Sequence, residues 1–488
     1  MHEDWKNQKR SLKMNSWIKL LFLFMVMTPQ MVVALSEEKE IKQGAAEHQK
    51  IVGRFGIYKN PALQEYVTKV GNRIAEQSSR AGLRYYFTVL NDDMINAFAL
   101  PGGFVYITRG MLMHMNSESE LAAVLGHEIA HITEKHGLRR QTRSKVQDMV
   151  SVGAAILTGQ PGVAELGQVL GGVLITGYSR EFELEADQVG ASYMAKAGYS
   201  PEAMLKTIEI LKNKDRIEIE QARLEKRPPQ VYHGFLSSHP DHDTRYTQAI
   251  RESNQLLLDY DEFIHTDEFL EQLNGLAYGP SRQAGVVRNS RFYHPRLGIM
   301  FAFPDGWRQE QAPRGVQFVS QTGEASFFLT TSKLFKGATP ENFVTQGLNY
   351  TLRDGRNLTI GGMPAFLGIA ERVDSPFGSR PVRLAVVFDM RRKLAFIMHG
   401  SGKFDLSKIA DDKQFISMIF SFGKMARDDF AVARVPKVQV VRAESGTTME
   451  LLAEQSPIPN YALDKLRVIN GLYPDGQPEP GQLLKVID

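Results

Sequence analysis

Residues 125–136 read LGHEIAHITEKH, which places His127, Glu128, His131 and His136 close together in a run of good helix formers. On an α-helix a four-residue step returns to within about 40° of the same face, so His127 and His131 stand one above the other. Two imidazoles placed in this way can bind one metal ion. A carboxylate next to the first, Glu128, can then take a proton from water activated by that ion. The competing reading is a solvated helix that carries surface histidines. On a continuous helix His136 falls half a turn away from His127 and His131, so it is expected on the surface.

A mononuclear site needs a third ligand. One known arrangement places a glycine seven residues and a histidine ten residues after the first His, but Glu134 and Gly137 occupy those positions. The alternative is a carboxylate from a second helix, and the run SREFELEAD offers two. Glu183 and Asp187 are four apart and share a face, so one can ligate while the other orients an imidazole through its second ring nitrogen. Glu185 falls on the opposite side and is expected in solvent. The same acids would also suit an ordinary charged helix.

Composition narrows the chemistry further. The 488 residues contain no cysteine, which excludes disulfides, thiol catalysis and Cys-ligated metal. A formal charge of +3 with no recurrent basic block argues against a nucleic-acid partner. With 43% hydrophobic and 23% charged residues the chain is globular, and its length calls for several domains. The first 36 residues combine Lys6, Lys9, Arg10 and Lys13 with the apolar run WIKLLFLFMVM and a small-residue exit, the layout of a cleaved secretory signal. Export would place the mature chain in a periplasm or outside the cell.

The elements that must position these residues can be sketched. Leu63, Tyr66, Val67, Val70 and Ile74 form an apolar stripe at helical spacing. YYFTVLN and GGFVYITRG read as strands. Ser117 with Glu120 is a capping box opening the histidine-bearing helix, and Gly137 is its expected stop. The glycine-rich segment 148–177 is apolar but interrupted by Gln160-Pro161 and Glu165, too short to span a bilayer. It is expected as a buried or lid-like helical pair, with membrane contact as the alternative.

NAFALPGGFVYITRGML, SESELAAVLGHEIAH, SREFELEAD and SSHPDHDTR follow one another in that order. Together they resemble the zinc metalloendopeptidases of the CAAX prenyl protease and HtpX type, most closely the periplasmic BepA-like group. The resemblance covers roughly residues 45–250. It implies His127, His131 and Glu183 as ligands of one zinc ion, Glu128 as general base, and Asp187 as support behind an imidazole. It also brings His239 toward the zinc, either as a fourth ligand that keeps the site latent or as a donor to the oxyanion, while the role of Arg245 stays open. His242 is expected to be exposed. Strand 104–108 is expected to offer an edge to an extended peptide, with Phe104, Val105 and Tyr106 in contact and Asn96 and Ala97 lining the cleft. No helical-repeat partner domain of the BepA-like kind is visible.

The expected architecture is α+β and multidomain. A signal occupies 1–36, and a mainly helical, gluzincin-type peptidase domain with a small sheet occupies 37–262. A linker (263–291), a β-rich α+β domain (292–425) and a small module (436–488) follow. That last module resembles a LysM unit in its βααβ landmarks, which implies peptidoglycan contact or a purely structural appendage. His294 and His399 of the β-rich domain lack ligand partners at useful spacing. The leading functional reading is an endopeptidase acting on misfolded or misassembled envelope polypeptides. The alternative is a chaperone-like or wall-associated scaffold whose zinc site rarely acts.

Overall fold

The computed structural model describes residues 29–140, 178–225, 229, 265–279, 285–311, 315–405 and 408–488. The first helix, α1 (Pro29–Phe55), contains the expected signal exit. Helix α2 (Pro61–Ala75) opens on Asn60, whose side chain accepts from the Leu63 amide at 3.2 Å. Leu63, Val67, Val70 and Ile74 are its buried stripe.

Strands β1 (Tyr86–Leu90), β2 (Ala97–Leu100) and β3 (Phe104–Thr108) form a sheet in the order β1-β3-β2, with β3 parallel to β1 and antiparallel to β2. The strand expected as a free edge is therefore the central one. Both of its ladders are occupied, and Phe104, Val105 and Tyr106 are buried. Its backbone has nothing left to offer a peptide, which corrects their assignment as contact residues. Among the described residues the edges are β1, bridged in part by Ile57, and β2.

After the short helix α3 (Arg109–Met113), α4 (Glu118–Thr133) carries both candidate histidine ligands and is buried along its whole length. Ser117 Oγ accepts from the Glu120 amide at 3.2 Å, and the Glu120 carboxylate reaches back to the Asn116 amide at 2.9 Å. The helix stops earlier than expected: Lys135, at φ 55, turns the chain two residues before Gly137. Helices α5 (Arg180–Lys196) and α6 (Ala203–Leu224) follow.

Helices α4 and α5 touch at glycines. A Cβ on Gly190 would lie 3.0 Å from the Gly126 carbonyl and 3.0 Å from the His127 amide nitrogen. Only a residue without a side chain lets the two backbones approach this closely. The contact sits beside His127, so it sets the distance across which the acids of α5 face the histidines of α4.

The segment expected as a linker, 263–291, is divided between two bodies. Helix α7 (Thr266–Gln272) and the turn after it bury Phe269, Leu270, Leu273 and Leu276 in the same core as α2 and α4. Val286–Arg288 already belongs to a four-stranded sheet of the β-rich unit. That unit also contains a seven-stranded antiparallel sheet running from Thr351–Ile360 at one edge to Arg308–Gln311 at the other. It has its own aromatic core around Phe292, Phe301, Phe318, Phe327 and Phe415. His294 is buried there, its Nδ1 accepting from the Leu297 amide at 3.3 Å.

Residues 436–488 run strand (Val438–Arg442), helix (Met449–Glu454), helix (Ala462–Ile469), strand (Leu483–Ile487), with the strands paired antiparallel. They are not a separate appendage. Met449, Leu466, Ile469, Leu483 and Ile487 share one continuous core with α2, α4 and α7. The Tyr278 amide donates to the Pro436 carbonyl at 2.8 Å, and Ala277 bridges Lys437. The β-rich unit is thus an insertion whose entry and exit lie side by side.

Among the described residues no helix is long and apolar enough to cross a membrane. Segment 148–177 lies outside the described residues.

Candidate metal centre

Three buried side chains converge where α4 and α5 cross. His127 Nε2 lies 3.0 Å from His131 Nε2, and the Glu183 carboxylate approaches the same two atoms at 3.6 and 3.7 Å. One donor atom from each lies within 4.8 Å of the others. Four ligands at zinc–nitrogen and zinc–oxygen distances form a tetrahedron with edges of about 3.4 Å, so the spacing fits one such ion.

The protonation pattern points the same way. His127 Nδ1 lies 2.9 Å from Asp187 Oδ1, so the charge of that carboxylate favours a proton on Nδ1. That leaves a lone pair on Nε2, directed at the convergence point. His131 Nδ1 lies 2.7 Å from Nδ1 of His136, and His136 Nε2 lies 3.1 Å from Glu185 Oε2. Glu185 also accepts from Arg139 at 2.7 Å. An ionised Glu185 accepts a hydrogen bond from His136 Nε2–H, and His136 Nδ1 then accepts from His131 Nδ1. The Nε2 lone pair of His131 is freed toward the same point. Two lone pairs and a carboxylate directed at one buried spot repel each other unless a cation lies between them.

This relay corrects two expectations. His136 is fully buried and Glu185 is only half exposed. The surface placement of His136 assumed a continuous helix, but the turn at Lys135 swings its ring back under His131. Burial lowers the His136 pKa, which keeps it neutral. Burial opposes ionisation of Glu185, but hydrogen bonds from Arg139 and His136 outweigh it and hold that carboxyl below its ordinary value. Phe182 stacks on His136 with centroids 4.6 Å apart, and Tyr178 stacks on His131 at 4.2 Å. Sequence reading missed Tyr178, whose position one residue before SREFELEAD carries no motif.

Supporting groups behind metal-ligating histidines are commonly worth roughly ten- to a hundredfold in metal affinity. His136→Leu keeps the bulk and removes the acceptor, so the zinc dissociation constant should rise by about that factor. Competition with a chromophoric chelator measures it, and unaltered affinity would show the relay to be idle.

Glu128 is fully buried one residue from His127, on the same helix. Asn96 and Ala97 lie at the start of β2, both buried. His239, His242 and Arg245 lie outside the described residues.

Two imidazoles one turn apart, a glutamate beside the first and a carboxylate from a second helix form a candidate metal site of the HExxH pattern. Residues 61–253 match the model of Peptidase family M48. The chain's relatives include the beta-barrel assembly-enhancing protease of Yersinia pestis, 30% identical over 231 residues that cover 46% of this chain and 45% of the relative. The same-named protein of Escherichia coli (strain K12) is 29% identical over the same shares. Mitochondrial metalloendopeptidase OMA1 of Schizosaccharomyces pombe is 32% identical over 35% of this chain and 51% of the relative. The chain spans about half the length of the curated relatives it matches.

Proposed function

We propose that this protein is a zinc-dependent endopeptidase. His127, His131 and Glu183 hold the ion, and Glu128 is the general base. The observation that carries the reading is the convergence of His127 Nε2, His131 Nε2 and the Glu183 carboxylate inside one buried site. Zinc bound there supplies a Lewis acid that polarises the scissile carbonyl and brings the pKa of water down to roughly 7. Glu128 takes the proton from the attacking water and returns it to the departing amine. Asp187 and the His136–Glu185 pair hold the two imidazoles in the tautomers that present Nε2.

Substrate is proposed to lie along β2, an edge strand, pairing through its backbone. Asn96 fits this role, because its Oδ1 is buried and has no hydrogen-bond partner among the described residues. Recognition through the backbone favours unfolded or misassembled polypeptides over a tight sequence motif. The basic and apolar N-terminal run supports export, and envelope polypeptides in a periplasm are the substrates proposed. His239 is proposed to approach the centre as a cap or an oxyanion donor, a reading supported only by the resemblance of SSHPDHDTR.

Casein incubated with the purified protein should be cut at internal bonds. Cleavage should stop on chelation and return with one equivalent of zinc. Hydrolysis that survives complete removal of metal would sink the reading.

A further inference from the structure

Lys485 is fully buried, which a lysine seldom is without partners. It lies on the strand Leu483–Ile487 of the 436–488 unit, yet its ammonium donates to the Met115 carbonyl at 2.6 Å and the Met113 carbonyl at 2.9 Å. Those carbonyls close α3 and lead directly into the Ser117 cap of α4. The backbone of Lys485 is itself pinned. Its amide donates to Asn470 Oδ1 and its carbonyl accepts from Asn470 Nδ2, both at 2.8 Å.

The charges around this ammonium come from every element packed against it. Glu120, on the first turn of α4, opposes it electrostatically. Lys206 of α6 also acts on Glu120. His114 faces both Lys485 and Lys214 of α6 and donates from Nδ1 to the Gly110 carbonyl at 2.8 Å. Burial raises the pKa of the Glu120 carboxyl and lowers that of the Lys485 ammonium, while each group's charge favours the ionised form of the other. Burial lowers the pKa of His114 to about 3, so it stays neutral. A hydrophobic side chain would fill this space at lower cost in desolvation. The cation does something a methionine would not: it ties two carbonyls to a fixed point.

We propose that Lys485 is a positioning residue for the metal centre, anchoring the start of α4 so that His127 and His131 stand opposite Glu183. The inference rests on the zinc-peptidase reading for its kinetic consequence, but not for its effect on metal binding. The chain between the anchor and the ligands is rigid. From Ser117 to His131 it is one buried helix, and Gly126 within it touches Gly190 of α5. A shift at its first turn therefore reaches the histidines, and displacements of an ångström at such sites cost up to about a hundredfold in rate.

Full-length variants test this. Lys485→Met removes the anchor but leaves Glu120 without its opposing charge, so it can fail by misfolding. Lys485→Met with Glu120→Gln removes the anchor and the carboxylate together and should fold, and it is compared with Glu120→Gln alone because Glu120 also caps α4. In the folded double variant the zinc dissociation constant, read by chelator competition, should rise roughly tenfold. At saturating zinc, kcat on casein should fall roughly ten- to a hundredfold with KM little changed. Wild-type zinc affinity in that variant, or a loss carried by KM alone, would overturn the inference. A wild-type protein that binds zinc but never cleaves would remove the proposed function instead, and the dissociation constants alone would then decide the role of Lys485.

Discussion

Glu128→Gln should leave zinc bound and stop peptide hydrolysis. The substitution keeps size and shape in a position with no exposure, so α4 has no reason to move. The amide cannot accept the proton of the attacking water, and general acid–base catalysis by a positioned side chain contributes roughly 10²–10⁴-fold. The expected result is a protein with one equivalent of zinc, an unshifted melting temperature, and casein cleavage lower by about three orders of magnitude. Two measurements settle it, metal content by mass spectrometry and initial rate. A variant that cleaves normally would remove Glu128 from the mechanism.

Glu183→Ala should have the opposite profile, losing both the metal and the activity. Glu183 is the only carboxylate among the three converging residues, and it comes from a different helix. Without it two neutral imidazoles remain to hold a dication in a dry site. Loss of metal also changes stability by linkage. At zinc about a thousandfold above its dissociation constant, wild type should gain about 4 kcal/mol on folding. The variant should gain none, so its melting temperature should no longer respond to added zinc. The metal-free forms should differ less, because Glu183 without an ion is a buried charge facing two lone pairs. Zinc-dependent melting that persists in Glu183→Ala would mean that the ion sits elsewhere.

The parts of this centre legible in the sequence were those that obey helical spacing. His127, Glu128 and His131 follow from a four-residue step on one helix, and Glu183 with Asp187 from the same step on another. Spacing left open which of the two acids ligates and which supports an imidazole, and only the family resemblance assigned Glu183 and Asp187 to those roles. What escaped depends on departures from regular geometry. The left-handed residue Lys135 ends α4 early and turns His136 inward, and no composition signal marks a lysine for that backbone. Strand β2 is four apolar residues with no alternation, so the order of the sheet, and with it the position of β3, was hidden. The close approach at Gly190 was invisible because a glycine inside a helical pattern reads as a mild defect until its neighbour is known. Domain order fared similarly. The β-rich character of 292–425 could be read from its short apolar runs, but the pairing of residue 277 with residue 437 across that whole unit could not.

That pairing has a consequence for how the chain comes together. Lys485 and Met113 are 372 residues apart in sequence, and joining such distant points through a floppy loop carries an entropic cost that rises with loop length. A folded insertion with adjacent ends takes the stretch between 278 and 436 out of that loop and leaves 277 and 437 already paired. The β-rich unit, with a core of its own, is therefore best formed first, presenting 278 and 436 already side by side. The peptidase body can then close behind it. Damage to the insertion would be felt at the candidate metal site as slow or incomplete maturation, even though no described residue of the insertion belongs to that site.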